Sequence, residues 1–216
     1  RENDVSLPLY ESKMLHQFEH RWASYDNTEV RDCTLVEKTD SSHLSLPRYW
    51  VPSEEVEHVL KTKRWSNKWL FGWRRITNTT NERTFIGTIF PKVGAGDNVF
   101  LMLFKHSDNV PALLGNLSSL VFDFITRQKL GGTNLLFYLV QQLPVLSPHI
   151  YTQPCPWSSG TCHPERERLH DWLLPRVLEL TYTAWDLQPF ARDCGYDGQI
   201  IVDGVELTND LKRIDE

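Results

Sequence analysis

The first half of the chain contains short runs of aromatic and β-branched residues separated by polar turns. Two of these runs, at 68–76 (KWLFGWRRI) and 83–91 (RTFIGTIFP), flank a polar stretch, and shorter runs lie at 48–51 and 99–104. Such runs, bounded by Asn, Asp, Gly or Pro, are typical of β-strands. The pattern predicts a β-rich part over residues 1–110.

The second half has the periodicity of helices. Apolar residues between positions 111 and 130 recur at steps of one, three and four, which predicts one amphipathic helix. The residues expected on its core face are Leu114, Leu117, Val121 and Phe124. A second short helix or a turn is predicted over 134–142, and a helix is predicted over 165–187, kinked or broken at Pro175. The chain is therefore expected to be α+β, with a β-rich N-terminal half packed with a helix-rich C-terminal half at 111–216.

Three other segments have weaker patterns. Residues 8–25 contain apolar positions at helical spacing but are expected to form only a short helical turn or an irregular segment. Residues 27–47 are rich in Ser, Thr and Asp, which predicts a loop. Ser53 is expected to cap a helix that runs through Leu60.

Length and composition narrow the class of protein. A chain of 216 residues can form one sizeable domain or two small ones. It contains no apolar run that approaches the roughly 20 residues needed to cross a bilayer, and its first residues lack the pattern of a signal peptide. The absence of an initiator Met suggests a fragment of a larger protein. A cytoplasmic location is expected, with four reduced thiols, at Cys33, Cys155, Cys162 and Cys194.

Charge is unevenly distributed along the chain. The whole chain has a net charge of −5, whereas residues 61–92 contain eight basic residues and one acid, a net charge of +7 that leaves −12 for the remainder. A polyanion would be attracted to this segment and repelled elsewhere. The alternative is a solvated face whose charges are balanced by acidic neighbours in the fold.

Aromatic residues are interleaved with the basic residues, and a polar turn follows. The aromatic residues are Trp65, Trp69, Phe71 and Trp73. The turn at 77–82 (TNTTNE) is followed by Arg83. Asn can bind adenine in the major groove, Arg can bind guanine, and Glu can accept a hydrogen bond from cytosine. Two interpretations remain open: the turn contacts DNA bases, or its side chains only close the turn, with Glu82 pairing with Arg83.

Motifs of common catalytic centres are missing from the chain. It has neither a Gly-x-Gly-x-x-Gly or Walker loop nor a Gly-x-Ser-x-Gly elbow. The Asn/Asp-Pro-Pro-aromatic loop of amino-group DNA methyltransferases is also missing, because no Pro-Pro pair occurs. Glu11-Ser12-Lys13 is similar to the acidic-x-Lys fragment of restriction nucleases, which leaves a nuclease as a weak alternative.

No metal site is predicted either. Cys155, Cys162, His163 and His170 lack the Cys-x-x-Cys spacing of zinc knuckles. His16 and His20 lie four residues apart, but Glu19 is not in the position that the zincin motif requires. These two histidines are expected to pack an interface.

Five blocks that cover most of the chain resemble the region that follows the catalytic domain in bacterial adenine-specific DNA methyltransferases of restriction-modification and DISARM-like defence systems. The blocks are PLYESKMLHQFEHRWASY (8–25), PRYWVP (47–52), ITNTTNERTFIGTIFP (76–91), LLGNLSSLVFDFITRQKLGGTNLLFYLVQQLPV (113–145) and PRVLELTYTAWDLQPFARDCGYDG (175–198). In the fourth block, Gly-Gly-Thr and Gln-Leu-Pro resemble the specificity domain of TaqI-like enzymes. The chain departs from the family pattern at Ser12, where Gly is expected, at Arg75, where an acid is expected, and at Asn134, where His is expected.

The resemblance implies that this chain recognises the target DNA and holds the duplex while a separate catalytic domain flips out the adenine. Double-stranded DNA and an upstream methyltransferase domain are the implied partners. S-adenosylmethionine would bind to that absent domain, and no cofactor is implied for this chain. The block from Tyr10 to Tyr25 is expected to pack against the methyltransferase domain. A protein-interaction scaffold within a defence complex is the alternative function.

The resemblance also suggests which residues contact DNA. Phosphate contacts are expected from the basic segment, base contacts from the polar turn, and backbone contacts from the end of the predicted long helix. The candidates are Lys68, Arg74 and Arg75 for phosphate, Asn78, Asn81 and Arg83 for the turn, and Gln128, Lys129 and Thr133 for the helix end.

Overall fold

A computed structural model describes residues 5–157 and 167–200 of the chain. In this described part the strands all lie before residue 103. They are β1 Ser6–Tyr10, β2 Ala23–Asp26, β3 Glu29–Asp32, β4 Tyr49–Pro52, β5 Trp69–Arg74, β6 Gly87–Pro91, β7 Gly94–Ala95 and β8 Val99–Met102. The predicted strands at 48–51, 68–76, 83–91 and 99–104 are confirmed within these bounds.

Most of the helical residues lie in the second half. The helices are α1 Leu35–Thr39, α2 Ser53–Thr62, α3 Val110–Leu117, α4 Leu120–Lys129, α5 Phe137–Val140, α6 Pro148–Tyr151, α7 Leu169–Thr181 and α8 Gln188–Asp193. Short 3-10 helices lie at Ser12–Met14 and Trp185–Leu187. The predicted α+β class is confirmed. No helix within residues 5–157 or 167–200 combines the length and the apolar character that crossing a membrane requires.

The strands form two three-stranded sheets and a hairpin. In one sheet β1 lies between β4 and β7, antiparallel to the former and parallel to the latter. In the other, β5 lies between β6 and β8 and is antiparallel to both. Strands β2 and β3 pair as an antiparallel hairpin.

Strand β5 is the central strand of the fold. Residues 69–73 are all buried, which explains the continuous apolar run in the sequence where an exposed strand would alternate. Gly72 is required at its position, because a Cβ there would lie 2.8 Å from the Phe100 carbonyl oxygen and 3.0 Å from the Phe90 ring. Neighbouring chain segments therefore pack directly against the β5 backbone.

Two tryptophans on β5 attach the sheet to the second half of the chain. Trp69 packs edge-on against Phe190, with ring centroids 5.1 Å apart, and its Nε1 donates to Asp193 at 2.7 Å. Trp73 Nε1 donates to the Leu135 carbonyl at 3.0 Å. Both buried indole N–H groups therefore have an acceptor in the second half of the chain, and the β-rich and helical parts contribute to one hydrophobic core.

The single helix predicted over 111–130 is wrong, since the chain forms two helices there. α3 ends at Leu117, and α4 begins after Ser119, whose Oγ accepts a hydrogen bond from the Phe122 backbone N–H at 3.2 Å. Serine favours this capping position over a helix interior, which ends the first helix and starts the second in a new direction. Leu114 and Leu117 are buried as predicted, but Val121 and Phe124 are exposed.

The predicted loop at 27–47 contains the strand β3 and the helix α1. Thr34 and Glu37 form a reciprocal capping box at the start of α1, a Thr-x-x-Glu signal that is visible in the sequence. The predicted cap at Ser53 is also wrong, because Ser53 is the first residue of α2 and Pro52 precedes it without a side-chain cap. Pro175 lies inside α7, which continues through it to Thr181.

Arg21 is fully buried and connects distant segments of the chain. Its Nη1 donates to the Asp40 carbonyl at 2.8 Å and to the His43 carbonyl at 3.3 Å. Its Nη2 donates to the Lys38 carbonyl at 2.8 Å and to both oxygens of Thr183, at 3.1 and 3.2 Å. A guanidinium is suited to this position because its donors are fixed in one plane and point outward. The segment 38–43 is thereby attached to the C-terminal part.

We expect Arg21→Ala to lower the free energy of unfolding by about 3 kcal/mol or more, because a fully buried side chain would be removed and four backbone carbonyl groups would lose their donor. Urea denaturation followed by circular dichroism measures this difference. Arg168→Ala is the control, since Arg168 is an exposed residue whose guanidinium pairs with Asp171 at 2.7 Å, and its removal should have a much smaller effect. Equal losses in the two variants would contradict the structural role of Arg21.

Candidate nucleic-acid interface

The polar turn after β5 lies beside the loop after α4. The Thr77 N–H donates to the Thr133 carbonyl at 3.0 Å, and the Leu135 N–H donates to the Arg75 carbonyl at 2.7 Å. An isolated β-bridge joins Ile76 to Asn134. Two stretches that the sequence analysis selected separately for DNA contact are therefore neighbours in the fold.

Arg127 of α4 holds the turn from one side. Its Nη1 donates to the Thr79 carbonyl at 2.9 Å, and its Nη2 donates to the carbonyls of Asn81 and Glu82 at 3.1 and 3.0 Å. These bonds use backbone oxygens only. The Asn81 and Glu82 side chains consequently stay exposed while their backbone is restrained.

Asp123, one helical turn before Arg127, holds the end of the same segment. Its Oδ1 accepts the backbone N–H groups of Thr84 and Phe85 at 2.7 and 2.8 Å, and its Oδ2 accepts from Arg127 Nη2 at 3.0 Å. The residue is only 4% exposed, so its charge is tolerated because three donors surround it. The Asn78 side chain adds a local restraint, since its Oδ1 accepts the Thr80 N–H at 3.2 Å.

Six of the nine predicted DNA-contact residues lie in or directly after the turn, at the end of α4, or in the loop that follows α4. We refer to them as the polar turn surface: Asn78, Asn81, Arg83, Gln128, Lys129 and Thr133. Within the part of the chain that the structure describes, the exposed side chains of Asn81, Gln128, Lys129 and Thr133 form no hydrogen bond or ion pair. Arg83 is half-buried, and its Nη1 is buried with no hydrogen-bond partner there.

Arg74 does not join this surface. Its guanidinium turns inward, and its Nε donates to the Leu15 carbonyl at 2.6 Å. Burial lowers the pKa of Arg74 to about 10, which leaves it charged at neutral pH but directed into the protein. This placement argues against the phosphate contact predicted for Arg74.

The other predicted phosphate contacts are dispersed. Arg75 Nη1 pairs with Asp97 Oδ2 at 2.7 Å, and its guanidinium lies 5.9 Å from the centre of the Phe100 ring. Lys68 is exposed, but it precedes β5, so the length of that strand places it roughly 20 Å from the turn. Lys92 pairs with Glu57 of α2. The basic segment at 61–92 therefore does not form one positive patch.

The aromatic residues of the basic segment belong to the core. Trp65, Trp69, Phe71 and Trp73 are all at most 7% exposed, so they are not available to stack on bases. The aromatic residues of β5 are buried in the core, and the basic residues Arg74 and Arg75 follow them at the end of the strand.

The block from Tyr10 to Tyr25 is also largely internal. Tyr10, His20 and Tyr25 are buried within the chain, so they are not free to contact a methyltransferase domain. His16 stacks on Trp22 with ring centroids 4.1 Å apart, and burial together with the nearby Arg74 lowers the pKa of His16 to about 4.

His16 and His20, the histidine pair considered above as metal ligands, make separate contacts. His20 Nε2 forms a hydrogen bond with Asp186 at 2.9 Å, whereas the ring of His16 stacks on Trp22. Glu11, the acid of the weak nuclease alternative, belongs to no group of three potential metal ligands among the described residues. Cys162 and His163 lie outside the described residues, and that zinc candidate stays untested.

Sequence analysis missed the residues that support the site. Asp123 and Arg127 are spaced i, i+4 on α4, which is the spacing of a helical ion pair. Asp123 also lies between Phe122 and Phe124 in the sequence. An acid in an apolar stretch, if buried, needs hydrogen-bond donors or a cation beside it. The spacing could indicate the pair, but only the tertiary structure identifies the turn as its partner.

Comparison with known proteins adds no relative: no family model matches the chain, and neither a curated protein nor a solved structure matches it. Function has to be inferred from the geometry of the chain itself.

We expect Arg127→Ala to loosen the turn at 77–84 without unfolding the protein. The loss of three bonds to turn carbonyls should cost about 1–2 kcal/mol of stability and speed amide hydrogen exchange in the turn. Hydrogen exchange read by mass spectrometry measures the local effect. Arg176→Ala is the control, because the Arg176 side chain donates to the Trp172 carbonyl within α7 rather than to the turn. In this variant the amide hydrogens of the turn should exchange as fast as in the unmodified chain.

Proposed function

We propose that this chain is the DNA target-recognition region of an adenine-specific DNA methyltransferase in a restriction-modification or phage-defence system, and that the polar turn surface contacts the duplex. The observation that carries the proposal is the convergence of two polar stretches on one restrained surface. The resemblance of the five sequence blocks to such enzymes supports the same function.

The side chains of the polar turn surface and its neighbours can contact both the bases and the backbone of a DNA duplex. Asn81 offers an amide that can pair with adenine, and Glu82, its exposed neighbour in the turn, offers an acceptor for the amino group of cytosine. Lys129 offers a cation for phosphate, and Thr133 a hydroxyl for the DNA backbone. Arg127 and Asp123 hold the backbone of the turn before any ligand arrives, which reduces the entropy lost on binding.

Catalysis is assigned to a separate methyltransferase domain, with S-adenosylmethionine as its cofactor. The chain lacks the Asn/Asp-Pro-Pro-aromatic loop that holds the target amine. Hydrogen-bond donors and acceptors on a restrained turn are suited to recognising DNA, and this role requires no catalytic group on the chain.

The test is a fluorescence anisotropy titration of the 216-residue chain with a mixed-sequence duplex at two salt concentrations. Lys129→Ala should weaken binding roughly fivefold and reduce the dependence on salt, because one phosphate contact is lost. Lys61→Ala is the matched control: it removes the same charge from an exposed position on α2 and should leave affinity nearly unchanged.

Equal effects of the two lysine substitutions would show that charge alone drives binding and would contradict a contact by the polar turn surface. No binding of the duplex at low salt would contradict recognition of DNA by this chain alone. In that case the titration is repeated with a methyltransferase domain fused upstream.

A second candidate function, a protein-interaction scaffold in a defence complex, is favoured by the outer face of α4. Leu120, Val121 and Phe124 are 72%, 70% and 62% exposed. Their spacing places them on one face of the helix. Exposed apolar groups of this size, gathered together, commonly mark contact with another protein.

We expect the double substitution Val121→Ser and Phe124→Ser to leave the stability of the chain nearly unchanged, because neither side chain is in the core. Under the scaffold function it should abolish association with other subunits of the defence complex in pull-down experiments, and the unmodified chain should show little affinity for DNA. The double substitution Leu35→Ser and Val36→Ser is the control, since it removes two apolar side chains of similar exposure from α1. Association that is unchanged by the Val121→Ser and Phe124→Ser substitutions would exclude the scaffold function for this face.

A further inference from the structure

Outside the polar turn surface, a cysteine, a glutamate and a histidine meet beside α1. Cys33 follows β3, Glu37 lies in the first turn of α1, and His43 lies in the loop after that helix. One ligand atom from each of these three side chains lies within 4.8 Å of the other two. The cluster is separated from the DNA-contact candidates in sequence and does not contribute to the proposed function.

We propose that Cys33, Glu37 and His43 form a binding site for a divalent transition metal ion of the zinc class. Thiolate, imidazole and carboxylate are the three donor types that zinc accepts, and three protein ligands with one open position are a common arrangement.

The separation of two of the ligand atoms fits such an ion. Cys33 Sγ lies 3.8 Å from His43 Nε2. With bonds of about 2.3 Å to sulfur and about 2.0–2.1 Å to nitrogen, two ligands on a tetrahedral zinc ion are about 3.6 Å apart. An ion can therefore be placed between them with only a small movement of either side chain.

Glu37 is already oriented by neighbours that leave one oxygen partly free. Its Oε2 accepts from Arg31, from the Thr34 backbone N–H and from the Thr34 hydroxyl, at 2.8, 2.8 and 3.0 Å. Its Oε1 accepts from Arg31 Nη2 alone, at 2.6 Å, so a lone pair remains for a metal. Outer hydrogen bonds of this kind orient ligating carboxylates in metal sites.

The backbone of the site is held before any ion binds. The Cys33 N–H donates to the Trp22 carbonyl at 2.9 Å, and the buried Arg21 guanidinium donates to the His43 carbonyl at 3.3 Å. Ser45 Oγ lies 3.7 Å from Cys33 Sγ and can serve as an outer hydrogen-bond partner of the sulfur.

The simpler alternative is a weak hydrogen bond between the thiol and the imidazole. Cys33 is only 5% exposed, and burial raises the pKa of its thiol, so without a metal the group stays protonated. A metal ion would displace that proton and bind the thiolate. A hydrogen bond alone would leave the protein with no affinity for cobalt or zinc at this position.

The test is a titration of the untagged, chelator-treated chain with Co²⁺, whose thiolate complexes absorb in the near ultraviolet. We expect a charge-transfer band that saturates at one equivalent and disappears when Zn²⁺ is added. Cys33→Ser should abolish the band. Cys194→Ser is the matched control, because Cys194 is a half-buried thiol at the end of α8, and this variant should keep the band.

His43→Ala and Glu37→Gln provide a second measurement if Cys33→Ser fails to fold, since both side chains are half-buried and neither fills the core. Each should weaken Co²⁺ binding by about tenfold or more. A band retained in Cys33→Ser, unchanged affinity in both other variants, or no band in the unmodified chain would overturn the site.

Discussion

The burial of β5 on both faces is the constraint on which the rest of the molecule depends. Gly72 carries no side chain, which leaves room beside its backbone for the Phe90 ring of β6 and the Phe100 carbonyl of β8. Trp69 packs against Phe190 of α8 and donates a hydrogen bond to Asp193. Trp73 donates a hydrogen bond to the Leu135 carbonyl in the loop after α4. The polar turn begins where this strand ends, so its position follows from the packing of the core.

Two arginines hold the irregular parts of the chain, and they do so in the same manner. Arg21 donates to carbonyl oxygens at the end of α1 and just after it, and Arg127 donates to carbonyl oxygens of the polar turn. The donors of a guanidinium are fixed in one plane, so several bonds from one arginine restrain each segment in one arrangement. Arg127 thereby restrains the turn proposed to contact DNA, and Arg21 restrains the loop that carries His43.

The distribution of charge in three dimensions changes the expected mode of DNA binding. The segment 61–92 carries a formal +7, yet Arg74 turns inward, Arg75 pairs with Asp97 and Lys92 pairs with Glu57. Broad attraction of the duplex by one basic patch is therefore not supported. The proposed function rests instead on a few uncommitted donors and acceptors of a restrained turn, and the apolar face of α4 remains open to a protein partner.

The sequence by itself determined the α+β class, the strands around 69–74 and 87–91, and the polar character of the turn between them. Those features follow from local composition and periodicity, because the residues of a strand or a turn themselves carry the pattern that predicts it. Tertiary structure alone decided that Trp65 and Trp73 are core, that Arg74 points to Leu15, and that Asp123 and Arg127 support a turn some 40 residues earlier in the chain. It also separated Leu117, which is buried, from Phe124, which is exposed, because Ser119 redirects the helix. Such outcomes depend on which distant groups satisfy a buried charge or fill a space, and the sequence pattern around a residue does not contain that information.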